Sequence, residues 1–532
     1  FFNKIIEIIL KKTKQHIEEN LSEKIILKEG LISRREAIQN IHLPKSERMI
    51  NVAKNRLKFE ELFFLQLQIL QLKTNRLKAF PGYVFKKNKL LNKFYKKHLP
   101  FNLTGAQKKV IKECYENMCS GKQMNRLVQG DVGSGKTIVA FMCMLFAIED
   151  KSQVAFMAPT EVLADQHFKS ILNQAEKMSI KVSLLTGSTK EKDRKVLLKK
   201  LKNGDINILI GTHALIENRV QFHKLGLVII DEQHKFGVAQ RAKLWSKKEE
   251  LYPHVLVMTA TPIPRTLALT LYGDLDVSVI DELPMGRKQI ITTHRNDNSR
   301  LKVFGFVKQT IETGGQVYIV YPLIEGSEKK DHKDLMDGFE SLKRYFPNEQ
   351  IGILHGRMKS ENKDYEMKRF SSGTTKILVS TTVIEVGVDV PNASVIIIES
   401  AERFGLSQLH QLRGRVGRGD RQSYCILMTK YDISSESKER IKAMVSSSDG
   451  FKIANMDLKL RGPGNMMGTK QSGLLELRFV NLAEDYKLIK KTREVALNLI
   501  EDDENLKKAE NRNILNYLKN KIKSNINWSR IS

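Results

Sequence analysis

Between Arg126 and Met428 the chain lays down short, β-branched apolar runs separated by helical stretches, and it does so twice. Val154–Met157, Ile206–Ile210, Leu225–Ile230 and Val255–Met258 make the first series. After Pro284–Gly286 the pattern restarts with Val317–Tyr321, Ile351–Leu354, Ile377–Ser380, Val395–Ile398 and Tyr424–Met428. Continuous apolar runs this short belong to parallel strands buried on both faces. Such strands need helical crossovers, so each series predicts a doubly wound α/β layer. Two tandem α/β domains are therefore expected, 101–290 and 291–430, joined near residues 284–295. The chain has 532 residues, and a domain takes about 100–200, so further segments flank this pair. Residues 1–100 read as a helical lead-in: Ser33 and Glu36 have capping-box spacing, and Leu57–Leu77 has helical periodicity without Gly or Pro. Residues 431–532 read as a second helical region, interrupted by a Gly-rich loop at Arg461–Gly473, with a charged helical tail beyond Glu501.

The most specific local pattern is Gly130-Asp131-Val132-Gly133-Ser134-Gly135-Lys136-Thr137, a complete phosphate-binding loop. Arg126–Gln129 supplies a strand before it and Ile138–Ile148 an apolar helix after it. Glycines let backbone N–H groups wrap phosphate oxygens, and the helix N-terminus adds a favourable dipole. Lys136 is expected on the β- and γ-phosphates and Thr137 on Mg²⁺. The run Leu225–Ile230 leads into Asp231-Glu232, which puts two carboxylates at a strand's C-terminal end, where α/β ligands bind. Asp231 is expected to hold Mg²⁺ through water, and Glu232 to orient and deprotonate an attacking water.

Gln107 allows two readings: its amide suits the N6 and N7 edge of adenine, and with Thr104 it also has capping-box spacing. In Gln411-Leu412-Arg413-Gly414-Arg415-Val416-Gly417-Arg418, arginines alternate with glycines in the second α/β series. That density suits a γ-phosphate reached from across a cleft, with Arg415 and Arg418 stabilising charge on the transferred group.

Net charge is +29, from 89 basic and 60 acidic residues. A polyanionic partner is one reading; a Lys-, Asn- and Ile-rich composition from an AT-rich genome is the other. Apolar content of 41% fits a globular chain, and no apolar run approaches the ~20 residues of a membrane span. Cys114, Cys119, Cys143 and Cys425 lack CxxC spacing and read as ordinary thiols in a reducing compartment.

In order and spacing, these motifs over Phe101–Gly419 resemble those of the superfamily-two helicases. The rest of that set is present. Ala158-Pro159-Thr160-Glu161, Thr186-Gly187-Ser188 and Gly211-Thr212-His213 are similar to its DNA-contact motifs. Thr259-Ala260-Thr261-Pro262 is similar to the motif that couples hydrolysis to movement. His355-Gly356-Arg357-Met358 and Ser380-Thr381-Thr382-Val383 resemble motifs of the second domain. Asp231-Glu232-Gln233-His234 and the loop from Arg461 through Pro463 to Gln471 resemble the RecG branch-migration helicases in particular. Asn465 stands where that family usually has Glu, and Lys235 and Lys470 where it usually has Arg.

The resemblance implies two tandem RecA-like domains, ATP and Mg²⁺ as cofactors, and duplex or branched DNA as partner. It implies DNA contacts at Pro159, Thr160, Thr186, Gly187, Thr212, His355, Arg357, Thr381 and Thr382. Coupling roles fall to His234, Thr259, Thr261, Arg461 and Gln471. A monomer on DNA, a contact with single-strand-binding protein and a bacterial, nucleoid-associated cytoplasmic location go with it. About thirty residues precede Leu31-Ile32-Ser33-Arg34-Arg35-Glu36-Ala37, too few for the five-stranded wedge barrel that the family places before this segment; the expectation is a chain without it. Two rival readings are a transcription-repair translocase, which needs a polymerase-binding domain, and a non-catalytic DNA-binding relic. A relic would be free to lose Lys136, Asp231, Glu232 and Arg418.

Overall fold

The computed structural model describes residues 2–13, 17–232, 251–262, 264, 268, 275–284, 287–322, 328–382, 390–466, 477–482 and 484–524. The chain divides into two compact units, Phe80–Ile263 with Asp276–Leu460, and Phe1–Ala79 with Pro264–Leu275 and Arg461–Ser532.

The first unit holds two sheets, one from each apolar series. The strands of the first are β1 (Asn125–Gly130), β2 (Gln153–Met157), β3 (Val182–Leu185), β4 (Ile208–Gly211), β5 (Leu225–Asp231), β6 (His254–Thr259) and β7 (Asp276–Ile280). Their order is β3-β4-β2-β5-β6-β1-β7, and every pairing is parallel. The second sheet has β8 (Ile291–Asn296), β9 (Gln316–Val320), β10 (Ile351–Leu354), β11 (Ile377–Ser380), β12 (Ala393–Ile398) and β13 (Tyr424–Thr429). Its order is β10-β11-β9-β12-β13-β8, again parallel throughout.

Alternation along the strands explains why both faces are covered. Tyr318, Val320, Leu378, Ile396, Ile398 and Leu427 enter one core, while Val317, Ile319, Val379, Ile397, Ile426 and Met428 enter another on the opposite face. In the first sheet Val128, Phe156, Ile210, Ile229 and Met258 pack with the helices Gly105–Cys119 and Lys136–Glu149. The expected helix at Ser33 is present as Arg34–His42, and its capping box with Glu36 is complete. Leu57–Leu77 lies within one helix, Glu47–Ala79. One expectation needs correction. The loop read as starting at Arg461 does not start there: the helix Gly450–Met466 carries its backbone through Gly462, Pro463 and Gly464. Proline costs a helix one ladder hydrogen bond without having to end it.

In the other unit the two ends of the chain build one core. Phe59, Phe63, Phe64, Leu67 and Leu70 of Glu47–Ala79 meet Ala496 and Leu499 of the helix Tyr486–Asp502, and Ile514 and Leu518 of Arg512–Ser524. Arg56 is fully buried beside it. Its guanidinium donates to Glu60 at 2.8 Å, to Glu19 at 2.6 Å, to Asn20 Oδ1 at 3.2 Å and to the Ile32 carbonyl at 3.1 Å. Arg34 adds an ion pair to Glu60 at 3.3 Å. Removing one member of such a buried set strands the other charges at a cost of about 3–5 kcal/mol. Arg56→Ala is therefore expected to lose stability of that order in urea denaturation followed by circular dichroism. A loss below about 1 kcal/mol, the range of an exposed pair, would show the cluster to be dispensable.

Candidate active site at the strand ends

Because every strand in each sheet runs the same way, the C-terminal ends gather on one edge, and the motifs sit there. β1 delivers the Gly130–Gly135 loop, β5 delivers Asp231 and Glu232, and β6 delivers Thr259. β2, β3 and β4 end just before Pro159-Thr160, Thr186-Gly187 and Thr212, and β10 and β11 just before His355 and Thr381.

The loop has the backbone that phosphate wrapping needs. Gly133 and Gly135 are left-handed, at φ of 75° and 85°. A Cβ on Gly135 would run into the Gln107 amide, and one on Gly133 into the Arg287 guanidinium. The helix Lys136–Glu149 starts immediately after Gly135, so its first N–H groups face the loop, with Thr137 half-buried in its first turn. Lys136 Nζ donates to the carbonyls of Gly130 and Asp131 at 2.7 and 2.9 Å. Burial pushes the Lys136 ammonium below its ordinary pKa, against the opposing pull of Glu232, Asp231 and Asp131. The Ser134 hydroxyl is buried without a hydrogen-bond partner among the described residues.

The acid pair is held by several elements. Asp231 accepts from the Glu232 N–H at 3.1 Å through one oxygen and meets His167 Nε2 at 2.8 Å through the other. Glu232 is in the left-handed region at φ 52°, a strained setting for a side chain with a Cβ. That backbone brings its carboxylate under the Ala260 N–H at 3.3 Å and the Thr259 hydroxyl at 3.4 Å. Thr259 in turn bonds Thr261 at 2.7 Å. Burial, then the Asp231 charge, raise the Glu232 pKa above the usual carboxylate value; Lys136 and Arg415 pull the other way.

The second sheet's glycine–arginine segment closes on the loop. A Cβ on Gly414 would lie 2.8 Å from the Val132 side chain, so only glycine allows the approach. Arg287 Nη1 donates to the Val132 carbonyl at 2.5 Å and its Nε to the Gly417 carbonyl at 3.1 Å. Arg415 is buried and acts electrostatically on Glu232, and Arg418 acts on Lys136. Arg418 Nε also donates to the Gly414 carbonyl at 3.3 Å.

Gln107 is committed at both ends of its amide. Oε1 accepts from the Thr104 N–H at 2.9 Å, completing a capping box, and Nε2 donates to the Ser134 carbonyl at 2.8 Å. The capping reading describes these contacts, and the amide touches the phosphate loop as well.

The expected DNA-contact residues form a row of strand-end groups. Thr160 caps the helix Glu161–Glu176 by accepting from the Leu163 N–H. Glu161 joins that motif to the next, taking the Ser188 hydroxyl at 2.8 Å and its N–H at 3.2 Å, beside Thr186 and Gly187. Thr212 and Thr381 are buried, and neither hydroxyl has a hydrogen-bond partner among the described residues. His355 is half-buried, Arg357 exposed and Thr382 half-buried. His234 and Gln471 lie outside the described residues, as does the Arg461 side chain. Sequence reasoning missed His167, Arg287 and His410, which all bond the loop or the acid pair. The signal for His410 was its place directly before Gln411; the other two carry none locally.

Comparison with known proteins adds a family context. A DEAD/DEAH box helicase model matches residues 104–270, a helicase conserved C-terminal domain 301–420, and the C-terminal part of domain 3 of the ATP-dependent DNA helicase RecG 447–532. The ATP-dependent DNA helicase RecG of Synechocystis sp. is 48% identical over 491 residues, which is 92% of this chain and 59% of that relative. The Bacillus subtilis protein of the same name is 45% identical over 503 residues, covering 94% of this chain and 73% of its own. A solved structure of RecG bound to a three-way DNA junction superposes with a TM-score of 0.71 at 44% identity, over 89% of this chain and 62% of that one. The chain thus spans about three fifths of the length of some of its relatives.

Proposed function

The chain belongs to the RecG family of ATP-dependent DNA helicases, and on that premise we propose that it is an ATP-driven motor that translocates on duplex DNA and remodels branched DNA. Its motor domains are 101–290 and 291–430, flanked by the helical regions 1–100 and 431–532. One observation carries the reading: Gly414 of the second domain packs on Val132 of the phosphate loop, where a Cβ would lie 2.8 Å away, and Arg287 bonds the Val132 and Gly417 carbonyls together. A site completed by both sheets ties phosphate chemistry to their relative movement.

The residues fit a magnesium nucleotide. The two left-handed glycines, the helix start at Lys136 and the Ser134 hydroxyl, which has no partner among the described residues, make a cradle for phosphate oxygens. Thr137 and Asp231 would hold Mg²⁺, which when bound neutralises phosphate charge. His167 orients the Asp231 carboxylate. Glu232, with its raised pKa, takes a proton from the attacking water, and Arg418 and Arg415 stabilise charge on the transferred phosphoryl group. The buried hydroxyls of Thr212 and Thr381, each just past a strand of its sheet and without a hydrogen-bond partner among the described residues, suit backbone phosphates and carry no base-reading pattern. Action as a monomer on DNA is part of this proposal. A contact with single-strand-binding protein and a bacterial cytoplasmic, nucleoid-associated location belong to the same proposal. Among the described residues no helix is long and apolar enough to cross a membrane.

ATP hydrolysis measured with single-stranded, linear duplex and forked DNA tests the proposal. Duplex and fork should stimulate turnover, with little dependence on base sequence. DNA affinity should fall steeply with salt, by a log–log slope of roughly −0.9 per phosphate neutralised. Absence of hydrolysis, stimulation by RNA alone, or a salt-insensitive affinity would each overturn it.

A further inference from the structure

From Leu62 to Lys112 the chain carries 12 basic residues and no Asp or Glu in 51 positions. The whole chain has 60 acidic residues in 532, so an average stretch of this length would hold about six. An AT-rich genome raises the share of lysine; it gives no reason for carboxylates to vanish from one stretch. The part from Lys86 onward folds onto the first sheet. The helix Lys89–Lys97 seats Phe94 edge-on against Phe141 of the helix Lys136–Glu149, with ring centroids 5.0 Å apart. Tyr115 of the helix Gly105–Cys119 meets Phe146 of the same helix and donates its hydroxyl to the Lys86 carbonyl at 3.0 Å. All three helices share one core on one face of the sheet.

What that layer turns outward is positive charge. Lys86, Lys87, Lys89, Lys93, Lys96 and Lys97 are all exposed, while Leu90, Leu91 and Phe94 take the inner side. Lys89, Lys93 and Lys97 follow at four-residue spacing and so stand in one row along the helix, with Lys96 beside them. Like charges at that spacing repel and work against a helix. The helix is held nonetheless from outside. Asn88 supplies no side-chain cap, and Glu149 instead takes the N–H groups of Lys89 and Leu90, one on each oxygen, at 3.1 and 2.9 Å. The other carboxylates of this layer are engaged too: Asp150 pairs with Lys87 at 3.2 Å, Glu113 with Arg126 at 2.9 Å and Glu116 with Lys112 at 3.9 Å. Among the described residues none of Lys89, Lys93, Lys96 and Lys97 has an ion-pair partner.

We propose that the helix Lys89–Lys97 is a second DNA-binding surface, which holds the phosphate backbone of a duplex arm without reading its sequence. It lies on the helix-covered face of the first sheet, apart from Thr160, Thr186 and Thr212 at the sheet's C-terminal edge. Lysines offer point charges to phosphates and no planar fork for a base edge. Sites for single strands stack bases on aromatic side chains; Tyr95 is the one exposed aromatic on this helix, which favours a duplex. Lys89 to Lys97 spans about 12 Å at ~1.5 Å per residue. At about 3.4 Å per phosphate along one strand, that row faces roughly three or four phosphates. The inference rests on the proposed action on DNA and adds a place where one arm of the substrate lies.

The test is binding of a fluorescent linear duplex to the full chain, read by anisotropy over a salt series without nucleotide. The same titrations use a single strand of equal length and phosphatidylserine vesicles. One variant combines Lys89→Gln, Lys93→Gln, Lys96→Gln and Lys97→Gln; a second puts Arg at the same four positions. A third combines Lys192→Gln, Lys195→Gln, Lys199→Gln and Lys202→Gln in the helix Glu191–Lys202, where exposed lysines are as dense but Glu191 and Asp193 stand among them. The first variant should bind duplex about tenfold more weakly at low salt, with a log–log slope shallower by about 2 or more, since each phosphate contact contributes roughly 0.9. The second and third should stay within about twofold of wild type. Thermal melting checks folding, and if the first variant fails to fold, Lys93→Gln with Lys97→Gln decides, at about half the change in slope. Unchanged duplex affinity and slope in the folded Gln variant overturn the inference, as does an Arg variant no better than the Gln variant. An equal loss in the third variant overturns it too, because the effect is then one of net charge alone. So does a loss confined to single strands or to vesicles. A wild-type chain that binds no duplex overturns the proposed function itself, and this inference with it.

Discussion

Arg418→Ala should lower ATP turnover by roughly 10³–10⁵, the range that loss of a phosphoryl-stabilising arginine produces. The argument begins with spacing. Gly414, Arg415, Gly417 and Arg418 follow the helix Leu406–Arg413, and Gly414 lets this turn lie against Val132 of the phosphate loop. The Arg418 charge acts on Lys136, the residue expected on the γ-phosphate, and its Nε is steadied by the Gly414 carbonyl. An arginine so placed matters most when negative charge spreads over the transferred group, so kcat should fall far more than ATP affinity. Arg418→Lys keeps the charge and loses the planar fork, so it should recover only part of the rate. Steady-state ATPase and nucleotide binding on the same preparations check this. Near-normal kcat in Arg418→Ala would remove Arg418 from the chemistry and leave Arg415, whose field reaches Glu232, to carry it.

The same segment shows how far sequence reasoning reaches. Strands that are apolar on both faces, such as β2, β5 and β12, were legible because burial on both sides leaves no room for polar residues. β3, β7 and β8 were not expected. Each stands at an edge of its sheet, and β8, Ile291-Thr-Thr-His-Arg-Asn296, is half-exposed along its length. An edge strand needs only one partner and can be as polar as a loop. The phosphate loop was legible for another reason: wrapping a phosphate fixes residue type at set spacing, Gly130, Gly135, Lys136 and Thr137. Contacts made across the fold leave no such local trace. His167 meets Asp231 across 64 residues, Arg287 meets Val132 across 155 and His410 meets Asp131 across 279. Arg287 falls in the stretch read as a join between domains, where composition points to a linker. The shared core of Phe59–Leu70 with Ala496–Leu518 is hidden for the same reason, since each amphipathic helix shows that it needs a partner and does not show which.

Glu232→Gln should bind ATP and fail to turn it over, with kcat lower by about 10² or more. The substitution keeps the size of the side chain and its capacity to accept from Ala260 N–H and the Thr259 hydroxyl, so the strained backbone at φ 52° retains its supports. What it removes is a basic oxygen. Burial and the Asp231 charge hold the Glu232 carboxyl above its ordinary pKa, which makes the carboxylate a stronger base for the attacking water. The sign of the pH dependence follows. The group must be ionised to accept a proton, so kcat/KM in the wild type falls as pH drops through the raised pKa. Its acid limb should therefore lie above the usual glutamate range. The same limb should move to lower pH in Asp231→Asn, where the neighbouring negative charge is gone, although overall turnover also falls if the proposed Mg²⁺ site at Asp231 is lost. Nucleotide affinity of Glu232→Gln by fluorescence titration should stay near wild type, because the phosphate loop and Lys136 are untouched. Near-normal turnover in this variant would take the proton-accepting role away from Glu232. An acid limb at the ordinary glutamate position in the wild type would show that burial and Asp231 do not tune it for the reaction.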